Sequence, residues 1–365
     1  MSAVVSRFFV ASALGTGNAE TLANYLRREA PGMKEISGDI PGRAIWFGTV
    51  PCELPVIAEK EWNMRSNRLL GLAVESEPAF AALVERYGAD RVGVVLGASN
   101  TGIDEAEGYV DRWLDSGEAA PPAGFDFSMI ELGTPSMYLK RLLGARGPAY
   151  TVSTACSSAT KAFGAARRLL ERGVCDAVVT GGVDGRCRFA MNGFHALGAL
   201  SAGRCRPLAP DRDGINLGEG VALFALERAE SAGEASAGLR LRGVGESSDA
   251  YHATAPDPEG RGAEAAMRAA LADAGMEPGD VDYVNLHGTG TQANDSMEMK
   301  AAGRVFGEGR VRCESTKGLT GHCLGAAGAV EAAVCALLVG SGRARAAMSN
   351  SFAFGGSNAS VILSA

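Results

Sequence analysis

The chain has 365 residues, 46% hydrophobic and 21% charged, an ordinary globular composition with length for two packed α/β units or one large one. Its net charge of −7 argues against nucleic acid or an anionic membrane as partner, so any acidic partner would need a local basic patch. Aromatics are only 6% while glycine reaches 49 residues, a balance that favours helices packed closely on sheets.

Apolar, β-branched runs of strand length occur at Val92–Leu96, Ala149–Val152, Ala177–Thr180, Val221–Leu226, Leu239–Val244, Val281–Leu286, Arg345–Met348 and Ser360–Leu363. Helix-period stretches such as Ser158–Glu171 and Ala263–Ala274 lie between several of them. This alternation predicts an α/β protein with parallel-containing sheets covered on both faces. A polar, proline-bearing insertion at Asp115–Phe127 reads as a surface excursion. The Ala-, Ser-, Gly- and Glu-rich stretch Ala229–Gly238 is the expected boundary between two halves, residues 1–230 and 231–365. No internal repeat is visible. The longest apolar helical run, Ala326–Val339, contains Glu331 and is too short to span a bilayer, and no basic leader precedes Ser6. Eight cysteines without C-x-x-C spacing read as reduced thiols of a cytoplasmic protein, with no metal site.

One cysteine has a distinct setting. In Thr151-Val-Ser-Thr-Ala-Cys156-Ser-Ser-Ala-Thr160 a strand runs through small residues into a helix, placing Cys156 at the elbow. The helix's positive end is expected to lower the thiol pKa and populate the nucleophilic thiolate; the plainer alternative is a buried structural cysteine. Of four histidines, two lie in Gly/Thr-rich loops. His287 opens His287-Gly-Thr-Gly-Thr291 directly after a strand, and His322 lies in a glycine-rich turn leading into the apolar helix of Glu331. A histidine in such a turn more often satisfies a local hydrogen bond, but two together with an elbow cysteine form a constellation. Near the C-terminus, Phe354-Gly-Gly-Ser-Asn358 can turn sharply and present N–H groups to a bound oxygen, where otherwise a plain turn would be read. A thiol, two imidazoles and backbone donors suit acyl transfer to sulfur followed by stabilisation of an enolate.

Taken together, Ser153-Thr-Ala-Cys156-Ser-Ser, His287-Gly-Thr-Gly-Thr291 with Asp295 and Glu298, Thr316-Lys317 with Thr320-Gly-His322, and Asn350-Ser-Phe-Ala-Phe354-Gly-Gly-Ser-Asn358 resemble the elongating β-ketoacyl-carrier-protein synthases. The likeness runs from about Val92 to the end and is looser before it. Pro31-Gly-Met33 and Met64-Arg-Ser-Asn-Arg68 also look like the ketosynthases of aryl-polyene pathways.

The resemblance implies a thiolase-like fold of two pseudo-dyad-related halves, with layered helices and mixed sheets. It implies that Cys156 takes an acyl group from an acyl carrier protein, that His287 and His322 hold the enolate oxygen, and that the N–H groups of Cys156 and Phe354 form the oxyanion hole. Phe354 resembles the family's gating phenylalanine. Lys317 and Glu331 would orient His322 and set the local charge, with Asp295 and Glu298 in support. Thr289 and Thr291 would bond the phosphopantetheine arm that carries the substrates, and no separate cofactor is implied. The carrier protein would be one partner and a dimer mate the other, either a second copy or a chain-length-factor subunit. Arg65 and Arg68 fit the family's basic docking surface, whereas Gly198 stands where an arginine is common, and the connection after Glu331 is short. A thiolase acting on coenzyme A esters would share the fold but place a second cysteine where Phe354-Gly-Gly stands. A chain-length-factor subunit would lack Cys156.

Overall fold

The computed structural model describes residues 3–230 and 238–365. Most of the stretch expected to divide the halves, 231–237, lies outside the described residues. All eight strand-length runs form strands, and the Ser158–Glu171 helix has the bounds its periodicity predicts. Several strands run longer than their apolar cores, notably Ala177–Asp184, Arg240–Ser248 and Ala346–Phe352. The one that opens the His287 loop is shorter, Tyr283–Asn285.

The main sheet runs in the order Arg312–Glu314, Tyr283–Asn285, Ala346–Phe352, Ser357–Ser364, Arg240–Ser248, Ala3–Ser12, Gly220–Arg228, Ala177–Asp184, Val92–Gly97, Ala149–Val152. From its centre outward both sides repeat one pattern. Ala3–Ser12 pairs antiparallel with Gly220–Arg228, which pairs antiparallel with Ala177–Asp184, and the next two strands follow in parallel. Arg240–Ser248, Ser357–Ser364, Ala346–Phe352, Tyr283–Asn285 and Arg312–Glu314 do the same. Within the sheet the two sides join where Ala3 and Val4 pair with Leu241 and Arg240. The fold is therefore two similar α/β halves related by a pseudo-dyad.

Two helices fill the space between the halves, Ser158–Glu171 and Ala327–Gly340. The second is apolar around its whole circumference and buried from Ala327 to Val339, as expected of a helix walled in on all sides. Both pack on the inner faces of the two sides, through Val178, Phe224 and Leu226 on one and Tyr283, Ala347 and Leu363 on the other. The helices Arg65–Ser76, Ala79–Tyr87 and Thr134–Leu143 cover one outer face, and Arg261–Ala274 and Gln292–Phe306 cover the other. Among the described residues no helix is long and apolar enough to cross a membrane.

Glycine sets how close these layers come. A Cβ at Gly97 would overlap the backbone of Ala159, at the start of the first central helix. A Cβ at Gly328 would overlap the Thr160 hydroxyl, where the two helices cross. A separate hairpin, Met33–Ile40 with Arg43–Gly48, packs against the helix Arg188–Ala196.

Gly97→Ala is expected to lower the thermal unfolding midpoint by several degrees, since overpacking of this kind costs about 1–3 kcal/mol. Gly193→Ala, in a helix with open space around its Cβ position, should be neutral or stabilising by up to ~1 kcal/mol. Thermal scans of the two variants check this; a Gly97→Ala midpoint equal to wild type would contradict the close-packing account.

Candidate active site

Cys156 lies between the strand Ala149–Val152 and the helix Ser158–Glu171, at a turn where Ala155 adopts φ +52. The Ser158 hydroxyl accepts from Thr154 N–H at 2.9 Å and donates to the Ala155 carbonyl, holding this uncommon backbone in place. His322 has the equivalent place in the other half, after Arg312–Glu314 and before Ala327–Gly340. His287 follows Tyr283–Asn285. The fold thus brings Cys156, His287 and His322 together: Sγ and one nitrogen of each imidazole lie within 4.8 Å of one another. The rings meet edge to face, 5.3 Å between centroids.

The hydrogen bonds assign the tautomers. Leu324 N–H donates to His322 Nδ1 at 3.1 Å, so the proton of a neutral His322 sits on Nε2, which is buried and has no partner among the described residues. The Lys317 ammonium lies 3.3 Å from His287 Nδ1 and can only donate, so His287 also carries its proton on Nε2. Burial first, and the Lys317 charge second, hold both imidazoles well below the ordinary histidine range, so both are neutral. Lys317 is itself buried and paired with Glu331, whose carboxyl burial pushes up to about 7 against the pull of the lysine. Lys317 therefore meets His287, whereas the resemblance had it orienting His322; the backbone N–H of Leu324 orients that ring.

Cys156 also departs from expectation. Burial pushes its thiol up to about 11, while the Lys317 charge and the N–H groups of Phe354 and of Cys156 itself pull the other way. The elbow does not outweigh the loss of water, so the resting residue is a thiol. The N–H groups of Phe354 and Cys156 nevertheless lie near enough to the sulfur to favour its charged form.

The loop His287–Thr291 is held from behind. Glu298 accepts from the N–H groups of His287 and Gly288 at 2.8 and 2.7 Å, and Asp295 accepts from those of Gly290 and Leu208. Burial pushes Glu298 up to about 7. The Thr289 and Thr291 hydroxyls lie 2.9 Å apart, and both residues line a cleft of about 230 Å³ that opens on Cys156. Phe354, 38% exposed, lines the same cleft and stacks on Phe194, with centroids 5.7 Å apart.

Arg65 and Arg68 do not form the expected free basic patch. The Arg65 guanidinium is ion-paired with the fully buried Glu219, and Arg68 donates to the carbonyls of Leu54 and Pro55. Three features of the site had no local signal in the chain. Asp184 accepts from the N–H groups of Ser99, Asn100 and Ala326, tying both halves at the foot of the site. Asp249 accepts from the Asn358 amide at 2.7 Å beside the glycine turn. Phe194 packs on Phe354. Each depends on partners distant in sequence.

A sulfur and two imidazoles are also a donor set that zinc accepts. Here the ammonium of Lys317 against His287 opposes a divalent cation, and the paired Nε2–H groups are aimed as donors. The arrangement suits a covalent thioester with charge developing on an adjacent oxygen. Alkylation of Cys156 by iodoacetamide, mapped by mass spectrometry, should keep accelerating above pH 9 with a midpoint near about 11, where an ordinary thiol levels off above ~8.5. A plateau by pH 9 would show that the helix end outweighs burial.

The description "Beta-ketoacyl synthase, N-terminal domain" matches residues 81–232, and "Beta-ketoacyl synthase, C-terminal domain" matches residues 239–348. A 3-oxoacyl-[acyl-carrier-protein] synthase 2 of Staphylococcus aureus is 39% identical over 262 residues, covering 69% of this chain and 64% of the relative. The chain thus spans a little under two thirds of that relative's length. The synthase of the same name from Rhizobium meliloti (strain 1021) is 37% identical over 314 residues, covering 74% of the chain and 73% of the relative. Among solved structures, the Xenorhabdus doucetiae ketosynthase ApeO, in complex with its chain length factor ApeC, superposes with a TM-score of 0.92 at 40% identity, over 100% of this chain and 98% of that one. The ishigamide ketosynthase/chain length factor superposes with a TM-score of 0.89 at 28% identity, again over 100% and 98%. Matches in both halves, at these identities and with this site, show that the chain belongs to the β-ketoacyl synthase family.

Proposed function

We propose that the protein catalyses decarboxylative Claisen condensation of an acyl-carrier-protein thioester with a malonyl-carrier thioester, giving a 3-oxoacyl-carrier and CO₂ in fatty-acid or polyketide chain elongation. The observation that carries this reading is the pair of neutral imidazoles whose Nδ1 atoms are engaged, leaving two Nε2–H donors beside the Cys156 sulfur. Neither ring has a free lone pair facing the thiol. They are built as hydrogen-bond donors and not as bases.

In the first half-reaction Cys156 Sγ attacks the acyl carbonyl. The oxyanion is held by the N–H groups of Cys156 and Phe354, and the carrier thiol leaves with the proton that the cysteine loses. Thr289 and Thr291 hydrogen-bond the phosphopantetheine arm along the cleft. In the second, the malonyl thioester loses CO₂ and its electron pair moves to the thioester oxygen, which accepts from Nε2–H of His287 and His322. The enolate carbon attacks the acyl-Cys156 carbonyl, and collapse of that adduct releases the cysteine. Lys317, paired with Glu331, keeps His287 in the donating tautomer, and Asp295 and Glu298 keep its loop rigid.

The dimer is part of the proposal. Ala149–Val152 is an edge strand beside the nucleophile, Tyr150 on it is exposed, and Met137 and Leu142 are exposed on the neighbouring helix. Two solved relatives are ketosynthases described with a chain length factor, which supports a second chain of the same fold at this edge, as a heterodimer or as a second copy. Light scattering should show a dimer at micromolar concentration. A stable monomer, alone and after co-expression with a chain-length-factor subunit, would contradict it.

The half-reactions can be separated. Cys156→Gln should abolish condensation yet keep malonyl-carrier decarboxylation. His287→Ala or His322→Ala should cut CO₂ release by about 10²–10³-fold, the usual effect of one lost oxyanion donor, and spare Cys156 acylation. CO₂ release and Cys156 acylation are measured separately on each variant. If the histidine variants lose acylation and keep CO₂ release, the imidazoles are bases for the thiol and this mechanism is wrong.

A further inference from the structure

The hairpin Met33–Ile40/Arg43–Gly48 has no part in the chemistry above, yet its turn is bonded to the wall of the cleft. Ahead of the turn, the Asp39 carboxylate accepts from Arg186 at 2.6 Å and its carbonyl accepts from the Asn192 amide at 2.9 Å. After the turn, Arg43 places Nη1 3.0 Å from His195 Nδ1 and Nη2 3.3 Å from the carbonyls of both Leu200 and Ser201. These contacts grip the helix Arg188–Ala196 near its start, along its length and just past its end. Apolar packing continues the grip: Ile40, Ile45 and Phe47 share one small core with Met191, Leu200 and Leu324.

What this helix presents to the cleft gives the grip a meaning. Phe194 lies one residue before His195 and stacks on Phe354, with 28° between the rings. The backbone N–H of Phe354 also lies near the Cys156 sulfur and favours its charged form. Cys156 is only 7% exposed, and both rings line the cleft that leads to it. The position of Phe194 therefore governs how freely anything reaches the sulfur. A planar guanidinium suits the anchoring task, because one rigid fork reaches an imidazole nitrogen from Nη1 and two carbonyls from Nη2, whereas an ammonium would have to reach all three from a single nitrogen.

We propose that Arg43 is a positioning residue for access to Cys156: by fixing the end of the helix Arg188–Ala196 it holds Phe194 against Phe354 and sets the width of the passage an acyl chain must take. The consequence for acyl chains rests on Cys156 being the acyl acceptor. The control of access does not.

The test is iodoacetamide labelling of Cys156 and of Cys335, a fully buried cysteine in the central helix, followed together by mass spectrometry in Arg43→Met and Arg43→Lys. Arg43→Met removes all three contacts and should label Cys156 at least about fivefold faster, since the net loss of even one hydrogen bond changes an opening population by that factor. The pH midpoint of labelling should not move and Cys335 should stay unlabelled. Arg43→Lys, which keeps the charge without the fork, should fall between Arg43→Met and wild type. If Arg43→Met does not fold, Arg43→Lys decides alone: acceleration at Cys156 only supports the proposal, and none overturns it. An unchanged Cys156 rate in folded Arg43→Met overturns it. So does a joint rise at Cys156 and Cys335, which would mean general loosening. A protein that shows the expected labelling but takes no acyl group from a carrier would overturn the condensation reading and leave the role of Arg43 standing.

Discussion

The close crossing of two buried helices between the two halves is the constraint on which the site depends. Ser158–Glu171 and Ala327–Gly340 touch where Gly328 meets Thr160, and the first presses on its own sheet where Gly97 meets Ala159. Cys156 leads into one helix and His322 into the other, so the distance between thiol and imidazole is set by how near the helices lie. A side chain at Gly328 would push the helices apart, and one at Gly97 would lift the first helix off its sheet. Asp184 reinforces the same junction by accepting N–H groups from the loop after Val92–Gly97 and from Ala326, just before the second helix.

Dryness then decides the chemistry. Cys156, His287, His322, Lys317 and Glu331 are all buried, and burial penalises whichever form of each group carries charge. The imidazoles stay neutral, the thiol stays protonated, and the one cation is matched by Glu331. A neutral imidazole has a single N–H, and in both rings a protein donor occupies Nδ1. The remaining N–H must therefore face the cleft. A charged imidazolium would offer the same Nε2–H, but its Nδ1 could no longer accept from Leu324 or lie against an ammonium.

The glycine and threonine loops become legible on the same terms. Glu298 and Asp295 accept the loop's N–H groups, so its backbone is held from within the protein. Arg65, by contrast, serves Glu219 inside the protein, and its charge is spent there. An arginine near a cleft cannot be assigned to a surface from its neighbours in the chain, because a buried carboxylate far away in sequence can claim it.

Eight of the strands, the helix Ser158–Glu171 and the chemistry-bearing residues were legible in the chain, whereas the central strand Ala3–Ser12, the short Arg312–Glu314 and the hairpin Met33–Ile40/Arg43–Gly48 were not among the expected strands. Apolar strand-length runs and helical periodicity are local, and Cys156, His287, His322 and the Phe354 turn sit in short patterns of small residues that are local as well. The repetition of the two halves was expected from the family resemblance alone and shows no repeat in the residues, because it lies in strand order and direction and not in residue identity. Tertiary structure alone decided that the thiol is raised by burial despite its helix end, that Lys317 meets His287, that Arg65 turns to Glu219, and that the hairpin holds the cleft wall. The physical reason is common to all four: desolvation, ion pairing and packing depend on what lies within a few ångströms in space, and in each case the deciding neighbours are brought there by the fold from distant parts of the chain.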